Sequence, residues 1–197
     1  STTLSAEQYE LAYQRVVDAG LHDRVTLLLD DFRDLEGRYD KLVSIEMIEA
    51  IGHELLVPYF RKCSELLKPG GAMLIQAITI EDQRYDAYRK SVDFIRRYIF
   101  PGGHLPSLAV MTDTVARHTD MRLLGLEDIG MHYATTLAHW RENFFARLEE
   151  VRGMGYPEAF IRMWEFYLCY CEGAFLERAI SDVQMVFTKP ESRLQLL

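Results

Sequence analysis

Two glutamates three residues apart, Glu46 and Glu49, follow the apolar run Leu42-Val43-Ser44-Ile45. Two carboxylates held this close do not ionise independently. The charge on one raises the pKa of the other, so one can hold or take a proton while its neighbour stays charged. That suits proton transfer, and the pair should repel an anion. The segment beyond them has helical spacing (Leu56, Tyr59, Phe60, Cys63, Leu67) and predicts a helix from Gly52 to Leu67. Lys68-Pro69-Gly70-Gly71 stops it, and Ala72–Ile80 reads as a long apolar strand. A strand–helix–strand unit of this kind belongs to a parallel α/β sheet. Ligands bind there beyond the carboxyl ends of the strands, where Glu46 and Glu49 fall. The alternative for Glu49 is an acid at a helix start, facing the helix dipole.

The elements that must position this pair alternate along the chain. Ser5-Ala6-Glu7-Gln8 is a capping-box pattern that starts a helix ending near Ala19-Gly20. Val25–Leu29 reads as a short strand covered on both faces and ending at Asp30-Asp31. After the strand ending at Ile80, Tyr85–Tyr98 reads as a helix and Phe100–Pro106 as a loop. A helix over Ser107–His118 and a strand over Arg122–Asp128 follow. Helices over Thr135–Val151 and Pro157–Ala179 and a strand over Val183–Thr188 complete the order. The organisation is one domain over 1–190, with an insertion at about 81–106 and a tail at 191–197.

The chain of 197 residues carries a net charge of −8, which argues against nucleic acid as a partner. One window reverses the sign. Arg84, Arg89, Lys90, Arg96 and Arg97 outnumber Asp86 and Asp93, and Tyr85, Tyr88, Phe94, Tyr98 and Phe100 interleave with them. Basic groups among aromatics suit an anionic, partly apolar surface such as a lipid interface. A solvated helix with one face on the core fits the same residues. Cys63, Cys169 and Cys171 show no disulfide framework or zinc spacing, and no metal site is expected. The expected location is the cytoplasm, with peripheral contact at the inner membrane face.

Several segments resemble the cyclopropane-fatty-acyl-phospholipid synthase and mycolic acid cyclopropane synthase family. They are Thr3–Gln8, Asp31–Leu35, Val43–Ile45 with Glu49 and Gly52-His53-Glu54, and Leu67–Gly71. Further on come Tyr98–Gly103 with Leu105-Pro106-Ser107, His132-Tyr133 with Thr135-Thr136-Leu137, and Gln184–Phe187. The LKPGG turn is a weak signal, while the Tyr-Ile-Phe-Pro-Gly-Gly loop with the later Tyr-x-x-Thr-Leu is strong. The resemblance implies a class I S-adenosylmethionine-dependent methyltransferase. Its fold would be α/β, a doubly wound Rossmann-like sheet with helical insertions, here lacking its first two strands.

The resemblance further implies methyl transfer to the double bond of an unsaturated phospholipid or fatty acyl chain, followed by cyclopropane closure. In the family a bicarbonate ion is thought to take the proton. Carried over by position, Glu49 is the carboxylate that holds this anion and Tyr133 the hydroxyl that donates to it. Gln76 stands at a histidine position and Glu46 where glycine is frequent, so the bicarbonate route is in doubt and Glu46 becomes a candidate base. A methyl branch, or a small hydrophobic substrate, is the alternative outcome. Thr3, Leu4, Gln8, Asp31, Phe32 and Ile45 match positions around the cofactor, although Gln8 also completes the capping box. The family's glycine-rich loop and active-site cysteine have no counterpart in the sequence. The expectation is a carboxyl-terminal part of a longer enzyme, inactive alone; a non-catalytic lipid-binding or interaction module and a homodimer remain alternatives.

Overall fold

The structure is a computed structural model and describes residues 1–195. Its centre is a four-stranded sheet in the order β1-β2-β4-β3, formed by β1 (Tyr39–Ile45), β2 (Leu67–Ile80), β3 (Arg122–Asp128) and β4 (Ile180–Thr188). β1 and β2 run parallel, whereas β4 is antiparallel to both β2 and β3. The helices are α1 (Ala6–Asp18), α2 (Leu56–Leu66), α3 (Asp82–Tyr88), α4 (Leu108–His118), α5 (Gly130–Ala146), α6 (Leu148–Gly153) and α7 (Glu158–Leu176). No helix among the described residues is long and apolar enough to cross a membrane.

Strand alternation decides which side chains meet. Met73, Ile75 and Ala77 on β2 and Val183, Met185 and Phe187 on β4 share one face, and α2 and α4 cover it with Tyr59, Phe60, Cys63, Met111 and Val115. Gln76 and Ile78 on β2, with Asp182 and Gln184 on β4, fall on the opposite face. There Ala134 and Leu137 of α5 and Leu168 and Phe175 of α7 pack with Ile78 and Ile180. Helices thus cover both faces, as the α/β reading requires. Cys63 belongs to the core, and burial pushes its thiol up to about 12, so it is inert.

Several expected elements differ. Val25–Leu29 is no strand: its one bridge joins Leu28 to Thr2, and Leu29 is exposed. An apolar run forms a strand only where a neighbour supplies backbone partners. β1, meanwhile, is an edge strand, with Val43 66% and Ile45 52% exposed. The Tyr85–Tyr98 helix breaks after Tyr88 and resumes as a π-turn over Ile95–Ile99. Ser91 Oγ donates to Tyr88 O and Asp93 accepts from Arg96 N–H, so side chains replace helix bonds at the break. Lys68–Gly71 lies inside β2 as a register shift opposite Tyr39 and Lys41 rather than as a separate turn. Ser5 does cap α1, accepting from Gln8 N–H at 3.2 Å, but Gln8 Oε1 accepts from Thr3 Oγ1 instead of closing the box. Of the expected tail, residues 196 and 197 lie outside the described range.

Candidate active site

Glu46 directly follows β1 with φ at +50°, the left-handed region in which glycine is at ease and other residues are uncommon. The turn sends its carboxylate back over the sheet. There Gln76 Nε2 donates to Glu46 Oε1 at 3.1 Å and the Tyr133 hydroxyl donates to Oε2 at 3.2 Å. Two 3₁₀ turns, Ile48–Ala50 and His53–Leu55, then carry the chain into α2. Glu49 sits in the first of them, where Ile78 N–H donates to its Oε1 at 2.6 Å and His104 N–H to its backbone carbonyl at 2.8 Å. Glu49 Oε2 is buried and has no partner.

A third acid, which the sequence reading missed, completes the cluster. Asp182 is fully buried, accepts from Gln76 Nε2 at 2.8 Å through Oδ2, and leaves Oδ1 unpartnered. Period-2 alternation along Ser181-Asp182-Val183-Gln184 was the available signal, because it puts Asp182 and Gln184 on one face. Burial raises Glu49 to about 7, and the charges of Glu46 and Asp182 add to the effect. Asp182 rises to about 6, again by burial first and then by the charge of Glu46. Gln76 is the hub: its Nε2 donates to Glu46 and Asp182, and its Oε1 accepts from Gln184 Nε2 at 2.9 Å.

Glu46, Glu49 and Tyr133 line a cavity of about 1170 Å³ that is otherwise mainly apolar and aromatic, with Ile78, Tyr88, Trp140, Tyr167 and Phe175 in its wall. This is ample room for a long acyl chain. Tyr133 stacks on Phe175, ring centres 4.8 Å apart, and burial raises its phenol so that it stays a donor. His104, read from sequence as a loop residue, is buried in the wall. Tyr85 OH lies 2.9 Å from its Nε2 and 2.6 Å from His53 Nδ1. Burial lowers His104 to about 4, so it is neutral.

The six expected cofactor positions lie outside that wall. Asp31 is held by Arg33 in a two-point ion pair at 2.8 Å, and Phe32 packs edge-on against Tyr59. Leu4 is 72% exposed, Gln8 is exposed and paired with Thr3, and Ile45 is exposed at the β1 tip beside Glu46. Among the described residues no group of acids, histidines and cysteines could hold a metal ion.

Comparisons with known proteins agree on kinship. The chain is 46% identical over 175 residues to the tuberculostearic acid methyltransferase UfaA1 of Mycobacterium tuberculosis, covering 89% of this chain and 41% of that protein. It is 38% identical over 188 residues to the cyclopropane-fatty-acyl-phospholipid synthase of Escherichia coli, covering 95% of this chain and 46% of the relative. It therefore spans less than half the length of these curated relatives. The mycolic acid cyclopropane synthase CmaA1, solved in complex with SAH and CTAB, superposes with a TM-score of 0.85 at 25% identity, over 95% of this chain and 68% of that one. A family described as mycolic acid cyclopropane synthetase matches residues 1–185. With the sheet and these matches in agreement, the chain belongs to the mycolic acid cyclopropane synthetase family.

Proposed function

We propose that this chain carries the acid end of a site that moves a methyl group from S-adenosylmethionine to the double bond of an unsaturated acyl chain. The observation that carries the reading is the cluster of Glu46, Glu49 and Asp182, in which Glu46 and Glu49 line a mainly apolar cavity while Glu49 Oε2 and Asp182 Oδ1 are buried without a partner. Buried anions call for a cation. A sulfonium cofactor fits this charge; Glu46 and Ile45 would hold it together with Thr3, Leu4, Gln8, Asp31 and Phe32. When bound, it supplies an electrophilic methyl group. The SAH in the CmaA1 complex supports that choice.

The chain's own groups account for the rest. The apolar wall excludes water and aligns the alkene, which is a weak nucleophile that needs proximity more than activation. Methylation leaves positive charge on the acyl carbon, and the carboxylates stabilise it. Glu49 Oε2, free of hydrogen bonds, takes a proton from the added methyl group as the ring closes. The electrons of that C–H bond become the new C–C bond.

Bicarbonate does not fit as the base. Ile78 N–H is donated to Glu49, the Tyr133 hydroxyl to Glu46, and the Gln76 amide to Glu46 and Asp182. The donors that would hold an anion are taken by carboxylates, and three acids would repel it. A second reading, a methyl-bearing product without a ring, is favoured by Glu46 standing within this cluster. The relative at 46% identity, named for methylation of a fatty acid, adds to it.

The test is incubation with methyl-labelled S-adenosylmethionine and unsaturated phospholipid or free oleate, following label into lipid by mass spectrometry. Proton NMR of the product separates ring from branch, and no transfer by the full-length protein would refute the proposal. Tyr133→Phe is expected to slow transfer about tenfold, since it removes one hydrogen bond to a charged group. Substrate affinity should change little, because the stack on Phe175 survives.

A further inference from the structure

The cavity is lined by charges of both signs. Glu46 and Glu49 supply acids from the turn after β1, and Arg84, Asp93 and Arg96 stand in the wall built by residues 83–105. We propose that Arg96 forms a subsite for the oxyanion at the end of the acyl substrate, a phosphate ester or a free carboxylate, so that the chain is held by its charged end with its double bond near Glu49. The proposal rests on the acyl-substrate reading above and adds which end of the substrate is recognised, and by what.

Three observations single out Arg96 among the basic residues of the segment. Its Nε is buried and has no hydrogen-bond partner, although an unpaired buried donor costs free energy. No carboxylate among the described residues lies within ion-pair distance of its guanidinium, whereas Arg89 is paired with Asp86 at 2.9 Å and Arg84 with Glu81 at 3.8 Å. Its position is fixed. Nη1 donates to the carbonyls of Tyr88 and Ser91, and the guanidinium lies over the Tyr88 ring at 5.5 Å. One edge of the fork is thus spent on anchoring, while Nε–H is left over in a group that lines the cavity. A guanidinium held in this way is suited to an oxyanion by planar, directional donation. Arg97, next in sequence, is exposed and does not line the cavity, so it serves as a control.

Trp140 in the cavity wall gives a binding signal that needs no turnover. Fluorescence titrations of the full-length protein with oleate, oleoyl lysophosphatidate and methyl oleate compare a carboxylate, a phosphate and a neutral end on one chain. The charged forms are expected to bind about tenfold more tightly than the ester, the size of one charge-assisted hydrogen bond. Arg96→Gln should erase that preference and leave methyl oleate binding unchanged, and Arg97→Gln should keep it. If circular dichroism shows Arg96→Gln unfolded, Arg96→Lys decides, because lysine keeps the charge without the Nε–H donor and should lose most of the preference. A stronger hold on the phosphate assigns a lipid headgroup, and a stronger hold on the carboxylate a free fatty acid. Equal affinity for charged and neutral ends, or a preference that survives at position 96, overturns the subsite alone. Failure of every oleoyl compound to bind overturns the acyl reading and the subsite with it.

Discussion

Glu49→Gln is expected to lower methyl transfer by about 10²–10⁴-fold, the usual contribution of a general base. The substitution keeps the shape of the side chain and its bond from Ile78 N–H, so substrate binding should hold. The pH profile supplies the sharper test. Burial raises Glu49 to about 7, and the base form is the ionised one. In the wild type the rate should therefore rise with pH through about 7 and level off above it. In Glu49→Gln the residual rate should be flat across that window. Stopped assays from pH 5.5 to 9 with labelled methyl donor, reported as kcat/KM, check both points. A limb near 7 that persists in the variant would transfer the base role to another group.

Asp182→Asn should make the protein more stable at neutral pH. The group is fully buried and its pKa in the fold is raised from 3.8 to about 6. The folded state therefore binds this proton more tightly than the unfolded chain does. The stability it contributes is complete below about pH 4 and is lost as pH rises through about 6. Above that pH an ionised carboxylate sits among Glu46 and Glu49 with Oδ1 unpartnered. Replacing it with the neutral isostere should recover ~2–3 kcal/mol, as a shift of about two pKa units implies. Urea unfolding at pH 5 and pH 8 measures it: the gain should be large at the higher pH and shrink at the lower one. The same change removes one of the charges that raise Glu49, so the activity limb should move to lower pH. A variant no more stable than wild type at pH 8 would mean that Asp182 is not charged in the folded protein.

These two acids show a stability cost concentrated where chemistry is proposed. The cluster combines residues on or next to three strands with one from a helix. Glu46 and Glu49 follow β1, Gln76 and Asp182 come from β2 and β4, and Tyr133 from α5. Glu46 and Glu49 were legible because they follow an apolar run that a parallel sheet must bury. Tyr133 and Gln76 emerged only through family likeness, since a lone tyrosine or glutamine carries no pattern of its own. Asp182 went unnoticed because its partners are over a hundred residues away in sequence. His104 lies in the loop expected of it, but its burial in the cavity wall was not legible, since a loop in sequence can be a buried wall in space.

The amino-acid pattern alone determined the α/β class, the extent of β3 and α4, the core role of Cys63 and the place of the acid pair after β1. Each of these depends on local periodicity and capping, which act over a few residues. The tertiary structure decided that Val25–Leu29 forms no strand, because a ladder needs a partner edge as well as apolar side chains. It also decided that the donors expected to hold an anion are spent on carboxylates, and that Arg96 rather than Arg97 reaches the cavity. Hydrogen bonds and buried charges depend on distance in space, and packing between remote segments sets that distance.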